Sequence, residues 1–133
     1  MLELFPDSGS IEEGELIVGG LRASELAGRF GTPLVVYCEE TLRARARALT
    51  AAIGDGGRVF YGTKAFPNVA VLRLLRAEGV GADVASVGEL AFARAAGLVG
   101  SELVVHGNNK DEEPLREAAT ANAPVVLDAP DEA

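Results

Sequence analysis

Arg58-Val59-Phe60-Tyr61-Gly62-Thr63-Lys64-Ala65-Phe66-Pro67-Asn68 is an apolar run that ends on a lysine and turns at a proline. A run such as Arg58–Gly62, apolar toward both sides, suits a buried strand of a parallel sheet. Four similar runs accompany it: Leu34–Cys38, Ala82–Ser86, Leu103–His106 and Pro124–Asp128. Helical spacing fills the gaps. Leu42, Ala46, Leu49 and Ile53 form one stripe, and Val69, Leu72 and Leu75 a second. Ser86-Val87-Gly88-Glu89 has the form of a capping box and opens a third helix through Leu90–Ala96, with Gly97 as its stop. Asp111, Glu112 and Glu113 put negative charge at the start of a fourth, whose first turn tolerates Pro114. The alternation predicts an α/β fold with parallel strands joined by right-handed crossovers.

Residues 1–33 sit outside this pattern, with Glu15–Val18 as a candidate strand and Ala23–Phe30 as a short helix ending at Gly31. At the other end, Asp128-Ala129-Pro130-Asp131-Glu132 reads as a helix start, with Asp128 as cap, and the sequence stops at Ala133. A helix announced but not supplied is expected of a truncated chain. Two architectures accommodate the visible units: a self-contained five-stranded flavodoxin-like domain, or the opening part of a (β/α)8 barrel, which takes about 250 residues in full.

The 133 residues suffice for one ordinary domain, and 48% hydrophobic with 24% charged residues is a globular composition. A net charge of −8 offers no basic face for nucleic acid or an anionic membrane. The single cysteine, Cys38, has no internal disulfide partner. The N-terminal residues lack a basic region followed by an apolar stretch, and no apolar run approaches the about 18 residues of a membrane span. A cytoplasmic location is the expectation.

Functional groups of such folds gather where strands end. Lys64 follows a strand directly, so its amine is expected at the mouth of the sheet, where a partly desolvated lysine can form an imine with an aldehyde. An ordinary loop lysine fits the same position. His106-Gly107-Asn108-Asn109-Lys110 is denser in polar groups than a turn requires, although asparagines also serve turns through local backbone bonds. Asp83, inside an apolar run, is expected to reach solvent at a strand end or to face a cation such as Lys64. His106 is the only histidine, no Cys/His pair has metal-ligand spacing, and neither of the common glycine-rich phosphate loops occurs.

Taken together, these segments resemble the fold-type III pyridoxal-phosphate-dependent decarboxylases, the alanine-racemase-like barrel family. Phe60–Asn68 is similar to the family's lysine motif, in which a strand ends in Tyr-Ala-x-Lys-Ala. Gly79–Leu90 resembles its G-x-x-x-D-V-x-S-x-G-E-L segment, and Val105–Lys110 matches the H-G-N-N-K run typical of the branch acting on diaminopimelate. Leu26–Tyr37 resembles the opening L-A-x-x-x-G-T-P-L-Y-V-Y, and Val125–Glu132 the following V-V-D-S-x-x-E. The likeness covers about residues 16–133. Departures are Gly62 and Thr63 for the usual Ala and Val or Ala, Phe66 for Asn, Asp111 for Ser, and Cys38 for Asp.

The resemblance implies the N-terminal part of a (β/α)8 barrel with about four barrel strands in residues 34–133, preceded by an extension, 1–33, that belongs with a β domain. It implies pyridoxal 5'-phosphate as cofactor, Lys64 as its catalytic attachment point, and Asp83, His106 and Asn108 as further cofactor-binding residues. The expected reaction is decarboxylation of meso-diaminopimelate to lysine by a homodimer, or of another basic amino acid or carboxylated polyamine. The phosphate-binding and substrate-binding residues are expected beyond residue 133, so this stretch alone is expected to be inactive.

Overall fold

The structure, a computed structural model, describes residues 4–107, 110 and 112–132. The chain divides into two units, Met1–Arg45 and Ala46–Ala133.

The first unit holds a three-stranded antiparallel meander of β1 (Ser10–Glu12), β2 (Glu15–Val18) and β3 (Leu21–Arg22), followed by α1 (Ala23–Phe30). Each hairpin closes on two residues, Glu13-Gly14 and Gly19-Gly20, all with positive φ. That geometry is the type I′ turn whose twist matches paired strands. Arg22, at the N-cap of α1, makes no side-chain cap bond. Glu15 of β2 serves instead, accepting from the Ser24 backbone N–H at 2.9 Å. α1 ends at Gly31, as its sequence predicts.

The run Leu34–Cys38 differs from its expected role. It joins neither sheet, and Leu34, Val35, Val36 and Tyr37 are exposed; only Cys38 is buried. Its Val-rich composition favours extended backbone. A strand also needs a partner ladder, and among the described residues none is offered.

The second unit carries a parallel sheet in the order β4 (Phe60–Gly62), β5 (Gly81–Val84), β6 (Leu103–Val105). Helix α2 (Glu39–Ile53) runs across the division between the units, and α3 (Val69–Ala77), α4 (Val87–Ala95) and α5 (Glu112–Ala121) alternate with the strands. Side chains of a strand point alternately to its two faces. Ala82, Val84, Leu103 and Val105 face one way and pack on Leu72 of α3, Leu90 and Ala93 of α4, and Ala118 of α5. All three helices thus lie on one face of strands that neighbour one another in chain order, which is an arc of barrel wall rather than a doubly wound sheet.

Local chemistry sets the helix ends. Asn68 caps α3 by accepting from the Ala70 and Val71 backbone N–H groups at 2.9 and 3.3 Å. Ser86 caps α4 by accepting from the Glu89 N–H at 3.2 Å. In α2, Ala46 is buried against Leu75 and Val80, whereas Leu49 and Ile53 of the same expected stripe stay exposed. The expected fourth barrel strand, Pro124–Asp128, shortens to one parallel bridge, Val105 with Val125. Two hydrogen bonds at 2.8 Å hold it, from Val105 N–H to the Pro124 carbonyl and from Val126 N–H to the Val105 carbonyl. Beyond it, the helix expected from Asp128 is a single 3₁₀ turn, Pro130–Glu132.

Candidate active site

The face of the sheet turned away from α3–α5 carries Phe60 and Gly62 from β4, Gly81 and Asp83 from β5, and Val104 from β6. Gly62, Asp83 and Val104 lie side by side in register. Past this row the strands end, and polar residues begin.

β4 runs straight into a 3₁₀ turn, Thr63–Ala65. Lys64 lies in its middle, exposed, and among the described residues it has no hydrogen bond or ion pair. On the neighbouring strand, Asp83 is about one-third exposed, and its Oδ2 lies 3.7 Å from His106 Nδ1. His106 follows β6 and is tied to β5 by its backbone N–H, which donates to the Val84 carbonyl at 2.8 Å. Of the two settings expected for Asp83, the structure shows both solvent access and a basic neighbour, and that neighbour is His106. Asn108 and Asn109 lie outside the described residues. Among the described residues, no three His, Cys, Asp or Glu side chains converge as metal ligands.

Two further clusters brace these strand ends, and sequence reading missed both. Thr63 is fully buried. Its hydroxyl lies 2.8 Å from the Asp83 carbonyl and 2.5 Å from Glu89 Oε2. The same Glu89 carboxylate accepts from the Ala85 backbone N–H and from the Ser86 hydroxyl, both at 3.1 Å. Glu89 was legible as a helix-cap partner, but not as a link to β4.

In the second cluster Lys110, with a side chain only 4% exposed, pairs with Asp128 and Glu132, both at 2.9 Å, and donates to the Gly107 carbonyl. Burial alone lowers the Lys110 pKa, yet the hydrogen bonds to Asp128 and Glu132 outweigh it and leave the pKa raised. Glu132 is held below the ordinary carboxylate value, first by the Asp128 backbone N–H and then by Lys110. The Asp128 carboxylate thus meets a lysine from the preceding loop rather than capping a helix of its own. The signal available in sequence was a lysine after one strand and acids after the next.

A family profile described as the pyridoxal binding domain of pyridoxal-dependent decarboxylases matches residues 39–133. The chain belongs to this family. Its cofactor is pyridoxal phosphate, and its fold is a partial (β/α)8 barrel; the flavodoxin-like alternative falls. Diaminopimelate decarboxylase of Actinosynnema pretiosum subsp. auranticum is 45% identical over 130 residues, which is 97% of this chain and 30% of that relative. The Bacillus subtilis enzyme of the same name is 43% identical over 110 residues, 80% of this chain and 25% of its own. Among solved structures, diaminopimelate decarboxylase from M. jannaschii in complex with L-lysine superposes with a TM-score of 0.82 at 34% identity, covering 95% of this chain and 31% of that one. The chain therefore spans about a third or less of the length of these relatives. No helix among the described residues is long and apolar enough to cross a membrane.

The residues present suit the family's cofactor. Among the described residues, the Lys64 amine at the end of β4 has no competing partner, and a Cβ at Gly62, two residues before it, would meet nothing within 4 Å. A carboxylate–imidazole pair closes the next two strand ends.

Proposed function

We propose that the protein is a pyridoxal-phosphate-dependent decarboxylase of meso-diaminopimelate, with Lys64 as the attachment point of the cofactor. The observation that carries the reading is the placement of Lys64: an exposed amine, without a partner among the described residues, on the turn that ends β4, one strand away from the Asp83–His106 pair. When bound, pyridoxal phosphate supplies the electron sink that accepts the electrons left behind by departing carbon dioxide.

The chain's own residues hold and orient. Lys64 would hold the cofactor through its amine, a group nucleophilic toward aldehydes. Asp83 and His106 set the charge at the mouth, with the imidazole within reach of the carboxylate. Asn108 is assigned to the same mouth by its place in the H-G-N-N-K run. Gly107, whose carbonyl Lys110 grips, anchors the start of that loop.

Residues 1–33 are assigned to a β domain and 34–133 to the barrel, within a cytoplasmic homodimer. Turnover is assigned to the full-length protein, because this chain spans about a third of the length of its relatives.

The test uses the full-length protein with and without Lys64→Ala. Visible absorption of the lysine-bound cofactor is recorded, and carbon dioxide release from meso-diaminopimelate is followed. Absorption and release in the wild type, both lost in the variant, support the reading. Absorption without release on that substrate, but with release on another basic amino acid, keeps Lys64 and replaces the substrate. A Lys64→Ala protein with the wild-type band refutes the assignment of Lys64.

A further inference from the structure

We propose that Thr63 is a positioning residue for Lys64, its buried hydroxyl locking the lysine-bearing turn to β5 and to the first turn of α4. The inference rests on the reading of Lys64 given above. Thr63 is the first residue of the turn that carries Lys64, and it is wholly shielded from solvent. A buried hydroxyl without a partner is costly, so its bonds dictate where the turn can sit. Here the one hydroxyl proton is shared between two acceptors on different elements, the Asp83 carbonyl of β5 and the Glu89 carboxylate of α4.

That carboxylate is itself fixed by the Ala85 backbone N–H and the Ser86 hydroxyl. Three segments, the turn after β4, the loop after β5 and the start of α4, therefore converge on Glu89. Among the described residues Lys64 has no hydrogen bond of its own to set its direction, so the aim of its amine is inherited from the turn. A carbon isostere at position 63 would fill the same volume, leave both acceptors without that donor, and free the turn to drift from β5. The consequence falls on the amine rather than on the core.

The experiment compares full-length wild type, Thr63→Val, Thr63→Ser, Thr63→Ala and Lys64→Ala. The readouts are equilibrium binding of pyridoxal phosphate, the pH midpoint of the visible band of the lysine-bound cofactor, and the thermal midpoint of the cofactor-free protein. Thr63→Val and Thr63→Ala are expected to bind the cofactor about tenfold more weakly, the order of one buried bond to a charged group, and to shift the pH midpoint. Thr63→Ser is expected to restore both. If Thr63→Val does not fold, the Ala and Ser variants make the same comparison.

Binding and pH midpoint at wild-type values in Thr63→Val or Thr63→Ala, whatever the thermal midpoint does, overturn the proposal while Lys64 stands, provided Lys64→Ala has lost the band. A Lys64→Ala protein indistinguishable from wild type overturns the lysine reading and this proposal with it.

Discussion

Gly81 opens β5 opposite Phe60, and an alanine there has no room. A Cβ at this position would stand 2.6 Å from the Glu102 carbonyl oxygen and 2.7 Å from two carbons of the Phe60 ring. The ring is partly exposed and can swing aside. The carbonyl cannot do so cheaply. Glu102 ends the 3₁₀ turn before β6, and its carboxylate is held by Arg76 Nε at 3.1 and 3.2 Å and by the Val99 N–H at 3.0 Å. Relief therefore requires β5 and β6 to part. Forcing a methyl into a packed site costs typically 1–3 kcal/mol, and the rigid carbonyl argues for the upper half of that range. Removing a glycine returns about 0.4–1 kcal/mol through the unfolded chain. The net expectation for Gly81→Ala is a loss of about 1–2.6 kcal/mol in the full-length protein, read by urea denaturation as a lower midpoint at unchanged slope. Gly62→Ala is the control: its backbone, at φ −68°, accepts any residue, and its Cβ meets nothing within 4 Å among the described residues. It should be neutral or stabilising by up to about 1 kcal/mol. Gly81→Ala within about 0.5 kcal/mol of wild type, or Gly62→Ala as harmful as Gly81→Ala, would refute the reasoning.

Asn68→Ala removes the acceptor for two N–H groups at the start of α3 and should cost about 1 kcal/mol, again by urea midpoint. Asn68→Ser, which keeps a capping oxygen, should recover most of it. The Glu102 carboxyl sits below the ordinary glutamate range because Arg76 hydrogen-bonds it, with the Val99 N–H adding to the effect. Its contribution is therefore complete above the unfolded value of about 4.3, and it fades as pH falls through the lower folded value, where the unfolded chain binds the proton first. Stability measured from pH 7 downward should fall less steeply in Glu102→Gln than in wild type as pH drops from the unfolded value to the lower folded one; equal slopes there would remove Glu102 from the acid response.

Much of this fold is written locally, and the exceptions have physical causes. The strands β4, β5 and β6 are legible because both faces are supplied by the same short run: Ala82 and Val84 reach the helices while Asp83 stands between them on the other face. The caps at Ser86 and the stop at Gly31 are likewise local bonds, spanning three or four residues. Leu34–Cys38 fails because pairing is a property of the partner. Val and Tyr make an extended backbone probable, but nothing within the run states whether another strand lies alongside it. The antiparallel meander was only one-third visible. Its two outer strands are short and polar, and the stronger signal lay in the turns, where Gly19-Gly20 follows an apolar run as a type I′ hairpin demands. Lys64 and His106 follow a simpler rule, that polar residues just past apolar runs stand at strand ends, whereas the approach of His106 to Asp83, which lies within β5, depends on strand register and is not written in either run.

Glu89 marks the boundary between the two kinds of information. Its bond with Ser86 spans three residues and is announced by the S-x-x-E pattern, so a helix start was the natural and sufficient explanation. Its bond with Thr63 spans 26 residues and needs a parallel sheet already in register, with Gly62 opposite Asp83, before the two side chains can meet. A capping carboxylate also has more than one lone pair to offer. Once Ala85 and Ser86 have fixed it at the sheet's end, the nearest buried donor across the strand is the residue next to Lys64. A helix cap placed at the mouth of a barrel can thus brace a neighbouring strand's functional turn through the acceptor capacity that capping leaves over. The strand–helix alternation and the S-x-x-E motif, read jointly rather than one after the other, contain the clue: a cap that directly follows a barrel strand faces the end of the strand before it.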